Sequence, residues 1–180
     1  MRVQIFMASI AALAVAGCGQ DGGANNETVP TNNDAAVGAP DVTVLGAALS
    51  GDAAKKLMHE RHENMEKIGD TTKAIGRTLK TDAPDMAVIK SGAQRIAQLS
   101  PEVAEWFPAG TGPGQGKTHA KAEIWQKPAD FLAKAKDFDA AAQAFNQAAA
   151  GNDLAAINTT FSAMMKTCKS CHEPYRHKDD

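Results

Sequence analysis

Between Leu154 and Tyr175 the apolar and thiol residues recur at spacings of three and four: Leu154, Ile157, Phe161, Met164, Cys168, Cys171 and Tyr175. That alternation is the inward stripe of an amphipathic helix, and it carries both cysteines into the interior with it. Any fold for this chain must therefore place two thiols, one helical turn apart, in or at the mouth of its core. The same residues form the run Cys168-Lys169-Ser170-Cys171-His172, a C-x-x-C-H pentapeptide, which is the attachment sequence of a c-type haem. Two thiols at this spacing can add to the two vinyl groups of one porphyrin, and the histidine that follows can turn its imidazole onto the iron. A zinc site would need a second ligand pair beyond the first, and too few residues follow Cys171 to supply one. A redox-active dithiol would follow a strand in a β-α-β unit, whereas the flanking residues 154–176 read as helix. One haem c is the expected cofactor.

Three further segments carry a helical period. Residues 128–150 place Phe131, Ala135, Phe138, Ala142, Phe145 and Ala149 on one stripe, with Pro128 to start the helix and Gly151 to end it. Met86, Ile89, Ala93, Ile96 and Leu99 predict a shorter helix after Ala83-Pro84, stopped by Ser100-Pro101. A first helix over about 52–80 aligns Met58, Arg61 or His62, Met65, Ile68, Thr72, Ile75 and Leu79. Asn152 or Asp153 can cap the last helix, whose second half is crowded with cations that suit its C-terminal dipole. Four such helices and no convincing strand predict an all-α, antiparallel up-down-up-down four-helix bundle with covalently bound haem. The alanine-rich seam of the third helix leaves room for a porphyrin.

The first residues have a different task. Met1-Arg2 is a short basic start, and an apolar run of about 12 residues follows, too short for the roughly 30 Å hydrocarbon layer. Val15-Ala16-Gly17-Cys18 then places small residues before a cysteine, a pattern similar to the bacterial lipobox. Residues 1–17 are expected to be a lipoprotein-type signal peptide and Cys18 the acylated anchor. An ordinary signal cut nearby is the alternative; it would leave an exposed thiol in an oxidising compartment. Residues 18–43 are rich in Gly, Asn, Asp, Pro and Ala, lack an apolar period and read as a disordered tether. Residues 44–180 are left for one compact domain. Localisation is expected to be periplasmic by export, with a lipid tether to the outer membrane, since Gly19 follows the cysteine rather than aspartate.

A net charge of −2 and the lack of a basic run argue against nucleic acid as a partner. The glycines at 110, 112, 114 and 116 follow Trp106-Phe107-Pro108 with no strand before them, so they read as a loop between helices and not as a phosphate cradle.

The attachment run at the end of a fourth helix resembles the class II c-type cytochromes, the cytochrome c′ family, including its low-spin methionine-ligated members. The resemblance extends over Asp52 to Arg176. It includes Arg61-x-x-x-Met65, Trp106-Phe107-Pro108-x-Gly110-Thr111, Thr118-x-Ala120, Ile124-Trp125 before Phe131, and Arg176 four residues after His172. The resemblance implies thioether links at Cys168 and Cys171, His172 as the proximal ligand, and Met65 on the opposite side of the iron. Arg61 resembles the family's arginine near the propionates, although a surface ion pair with Glu60 or Glu63 would look the same. Arg176 resembles its proximal basic residue, or else simply serves the helix C-terminus. Trp106, Phe107, Trp125 and Phe131 are expected to wall the haem or to be core. His62 is a further candidate ligand, while His59, His119 and His177 read as solvated.

Function then turns on Met65. If its sulfur reaches the iron, the expected role is electron transfer to an unidentified redox partner protein. If it only blocks that face, nitric oxide or carbon monoxide can bind, and Met65 is a steric gate. Met65-Glu66-Lys67-Ile68-Gly69 resembles the methionine-ligated members, and Gly69 and Gly76 in mid-helix suggest a close helix or haem approach on that face. An enzyme is not expected, since no distal histidine with an acid-base partner is evident. Relatives often pair through their first two helices, which leaves a homodimer open.

Overall fold

The computed structural model describes residues 45–178. The residues expected to form a signal peptide (1–17), the expected anchor Cys18 and the expected tether (18–43) lie outside the described residues. The main helices are α1 (Gly51–Thr78), α2 (Met86–Leu99), α4 (Pro128–Gly151) and α5 (Leu154–Tyr175), with one short turn, α3 (Glu123–Gln126), before α4. A 3₁₀ helix, Ser100–Trp106, continues α2 past Pro101. Sequence periodicity does not reveal it or α3, because each is too short to show a stripe.

Local chemistry explains the boundaries. The Asp85 carboxylate accepts from the Ala87 and Val88 amides at 2.8 and 3.2 Å and starts α2. Asp153 caps α5 in the same way, through Ala155 and Ala156 at 2.9 and 3.3 Å. Pro128 opens α4 at a position where no amide hydrogen is needed. At its other end Gly151 stays helical and Asn152, at φ 59°, takes the left-handed place instead; asparagine tolerates that conformation because its short polar side chain bonds locally. Pro174 sits inside the last turn of α5, and the chain leaves the helix at Arg176 in an extended conformation.

The core is continuous. On α1 the buried side chains are Ala54, Met58, Arg61, Ile68 and Ile75, and on α4 they are Pro128, Phe131, Ala135, Phe138, Ala142, Phe145 and Ala149. Leu154, read as part of the α5 seam, is instead exposed, one residue beyond the cap. The backbones of α1 and α2, α2 and α4, and α4 and α5 approach closely, whereas those of α1 and α5 scarcely do. Between α2 and α4, Ser100 donates to Asp139 at 2.7 Å and Gln143 donates to the Ala97 carbonyl at 2.8 Å. Among the described residues no helix is long and apolar enough to cross a membrane.

Candidate functional site

Two glycines of α1 argue that the space between α1 and α5 widens as a wedge. A Cβ on Gly76 would lie 3.7 Å from the Phe161 ring of α5, so the two helices are in side-chain contact there. A Cβ on Gly69, two turns earlier, would meet nothing within 4 Å. Both positions lie on the stripe of Met65 and Thr72. Met65 is eleven residues before Gly76 and His172 eleven after Phe161; at about 1.5 Å per residue both are about 16 Å from the contact, so they stand level to within about a turn. Met65, Cys168 and Cys171 are all partly buried and packed against the core cluster.

At the attachment run, both thiols are free and half-buried. Burial pushes Cys171 up to about 11, opposed by the Lys134 charge and assisted by Cys168 and Asp130. Burial also raises Cys168, in part offset by a backbone hydrogen bond. His172 projects from the helix at its exposed end; partial burial, and after it the Arg176 charge, hold its imidazole below the ordinary value. Arg176 therefore acts electrostatically on His172, and its amide donates to the His172 carbonyl at 2.9 Å.

Arg61 lies inside the fold rather than on its surface. It is 4 % exposed, so it is not a surface ion-pair partner of Glu60 or Glu63. Its guanidinium donates to the Trp106 carbonyl and Thr111 Oγ1, both at 3.2 Å, to the Thr111 carbonyl at 3.1 Å and to Thr118 Oγ1 at 2.9 Å. It also lies 4.6 Å above the Phe107 ring. Every one of these partners is neutral. Burial lowers it to about 10, which still leaves a cation at neutral pH. A buried cation satisfied only by neutral acceptors suits an anionic group nearby, such as a propionate.

The loop that cradles Arg61 is built on Gly110. Its φ is +80°, and a Cβ there would fall 1.9 Å from the Leu49 carbonyl oxygen, so only glycine fits. Thr111 Oγ1 donates to the Pro108 carbonyl at 2.8 Å, and Trp125 Nε1 donates to the Phe107 and Pro108 carbonyls at 3.1 and 3.0 Å. Behind the wedge, aromatic rings run from Phe107 to Phe131 (4.8 Å) and from Phe131 to Tyr175 (5.5 Å), edge to face. Trp106, Phe107 and Phe131 are buried in the core and Trp125 packs against it.

Several neighbours escaped the sequence reading. The Tyr175 hydroxyl donates to the Asp130 carboxylate, which ties α5 to the first turn of α4. His119 stacks on His62 with ring centroids 6.3 Å apart, and its carbonyl accepts from the His177 amide at 2.8 Å. His62 itself is exposed and pairs with Glu66 at 3.4 Å, which turns it along the helix surface. Ala120 and Arg176 form an antiparallel bridge, so the loop after Thr118 is stitched to the end of α5. Apart from His62–Glu66, an i, i+4 pair on α1, these pairings carry no local signal, since each joins residues far apart in the chain.

An all-α bundle with a wedge beside two half-buried thiols, a histidine and a buried arginine has the donor set of a c-type haem protein. The comparisons agree. A sequence profile described as Cytochrome C' matches residues 56–176. The chain is 36 % identical over 116 residues to cytochrome c′ of Pararhodospirillum photometricum, covering 64 % of this chain and 92 % of the relative. It is 38 % identical over 135 residues to cytochrome c′ of Rhodospirillum rubrum, covering 75 % and 90 %. The structure of cytochrome c′ from Shewanella frigidimarina superposes with a TM-score of 0.66 at 32 % identity, covering 72 % of this chain and all of that one. The chain belongs to the cytochrome c′ family, and its cofactor is one covalently bound haem c.

Proposed function

We propose that this protein is a one-electron carrier in which Cys168 and Cys171 hold the porphyrin by thioether bonds, His172 ligates the iron and Met65 ligates it from the opposite side. What supports the reading is that Met65 and His172, each eleven residues from the Gly76–Phe161 contact, stand level to within about a turn on α1 and α5. Haem c supplies an iron that cycles between ferric and ferrous states with gain and loss of one electron. The chain's residues fix what that iron experiences. A thioether ligand raises the potential and closes the face to exogenous ligands. Arg61 offers a buried positive charge to a propionate, and Arg176 sets the field at the proximal imidazole. The chain is read as a carrier rather than an enzyme. Export, with acylation at Cys18, would hold it at the outer membrane facing the periplasm.

The test is optical. Reduced holoprotein is exposed to carbon monoxide, and the oxidised form is scanned for a methionine-to-iron charge-transfer band. No change with carbon monoxide, together with the band, supports the carrier, and Met65→Ala should then bind carbon monoxide. Prompt binding by the parent to a high-spin haem overturns it in favour of a gas-binding protein gated by Met65.

A further inference from the structure

The haem-bearing end of this molecule differs in charge from the rest of the chain. Residues 117–136 and 166–180 contain nine Lys and Arg against five Asp and Glu, a net of +4; the remainder has ten against sixteen, a net of −6. The fold gathers the two cationic stretches at one end. Lys121 N donates to the Tyr175 carbonyl at 2.9 Å, Lys121 Nζ to the Glu173 carbonyl at 3.3 Å, and Tyr175 to Asp130. Lys117, Lys127, Lys166 and Lys169 are exposed there, and Lys134 lies close enough to act on the Cys171 thiol. Three carboxylates at this end are engaged locally: Asp130 faces Lys134 at 3.9 Å, Glu173 faces Lys169 at 3.6 Å, and Glu66, brought beside the loop by the stack of His62 on His119, faces His62 at 3.4 Å. With screening over about 8 Å at physiological salt, a partner approaching this end meets its local charge and not the net −2.

We propose that this cationic end is the docking surface for an acidic redox protein. The inference rests on the carrier reading above and adds to it the kind of partner and the face it uses. The only large exposed apolar side chains among the described residues are Leu154 and Met165. A polar, charge-dominated face of this kind suits a fast transient encounter, with electrostatics setting the on-rate. Insertion into a lipid surface would instead call for an apolar face beside the cations.

The probe is a reduced plant-type ferredoxin, an acidic one-electron donor. One electron passes from its cluster to ferric haem, leaving oxidised ferredoxin and ferrous haem, with no bond or proton exchanged. The second-order rate is followed by stopped flow as salt is raised. For two proteins of like net charge the rate would rise with salt; docking at the cationic end predicts a fall of about tenfold. The triple variant Lys127→Glu, Lys166→Glu, Lys169→Glu should abolish that fall, while Lys90→Glu on α2 should keep it. A parent rate that is flat or rising with salt overturns the proposal, as does a triple variant that behaves like the parent. Salt-sensitive binding to phosphatidylglycerol over phosphatidylcholine vesicles, alongside a flat ferredoxin rate, would assign these charges to a membrane. Because the ferredoxin rate is read with or without a methionine ligand, failure of the Met65 reading and failure of the docking face are separable.

Discussion

The Phe161 ring stands 3.7 Å from the point where a Cβ on Gly76 would lie, an ordinary van der Waals distance. This contact brings α1 against α5 at one end, and the open space at Gly69 argues that the helices part beyond it toward Met65. Alanine at position 76 therefore fits without displacement and removes the helix penalty of glycine. Gly76→Ala should stabilise the holoprotein by about 0.5–1 kcal/mol. Gly76→Leu should drive into the ring and cost about 1–3 kcal/mol. Urea unfolding followed by far-ultraviolet circular dichroism separates the two, and equal midpoints would remove the contact from the account of the wedge.

Gly92 predicts the opposite sign for the same substitution. A Cβ there would fall 2.8 Å from Ile75 Cδ1 and 3.0 Å from both Ile75 Cγ1 and Thr71 Cγ2. Ile75 is fully buried and has nowhere to go. The overpacking cost of about 1–3 kcal/mol exceeds the propensity gain of about 1 kcal/mol. Gly92→Ala should lower the urea midpoint while Gly76→Ala raises it. A stabilised Gly92→Ala would mean that α1 and α2 can slide apart at this crossing.

These two glycines show what sequence could and could not disclose. Their positions in mid-helix mark close approaches, but which neighbour approaches is settled by residues on another helix. The helices themselves were legible because Pro84, Pro128, Asp153 and the Ser100-Pro101 step act on the adjacent backbone, although the Asp85 cap of α2 was not foreseen. The attachment run was legible because its chemistry needs only five consecutive residues. Arg61 was not, since its acceptors at Trp106, Thr111 and Thr118 lie 45 to 57 residues away. Tyr175 showed its inward direction on the α5 stripe, while its partner Asp130 lay unseen on the exposed side of α4.

Arg61 should be costly to replace. Removing it strips the Trp106 and Thr111 carbonyls of buried donors, at about 1–3 kcal/mol for each unsatisfied group, while relieving the burial of a charge. The carbonyls cannot turn away as hydroxyls can, so loss wins. Arg61→Leu should cost about 2–4 kcal/mol in urea unfolding. Arg61→Lys should recover less than half of that, because an ammonium cannot span four acceptors with one planar fork. A leucine variant as stable as the parent would show that the loop at 106–118 organises itself without the guanidinium.

Tyr175 makes stability depend on alkaline pH in a direction that can be worked out. Burial first, then the hydrogen bond to Asp130 and the charges of Asp130 and Cys171, raise its hydroxyl above the ordinary value of 10. The unfolded chain therefore ionises this phenol before the folded one does. Its contribution is fully present below about pH 10 and declines as pH rises above that. Phenylalanine keeps the ring against Phe131 but has neither the hydrogen bond nor the titration. At pH 7, Tyr175→Phe should be less stable by about 1.5–3 kcal/mol, the value of one hydrogen bond to a charged acceptor. Above pH 10 the parent should lose that advantage at about 1.4 kcal/mol per pH unit, so the two unfolding midpoints should draw together by pH 11. With the haem attached through Cys168 and Cys171 as proposed, those thiols add no titration of their own to this window. A gap that stays constant from pH 7 to 11 would mean that the phenol ionises equally in both states and that Asp130 does not hold its proton.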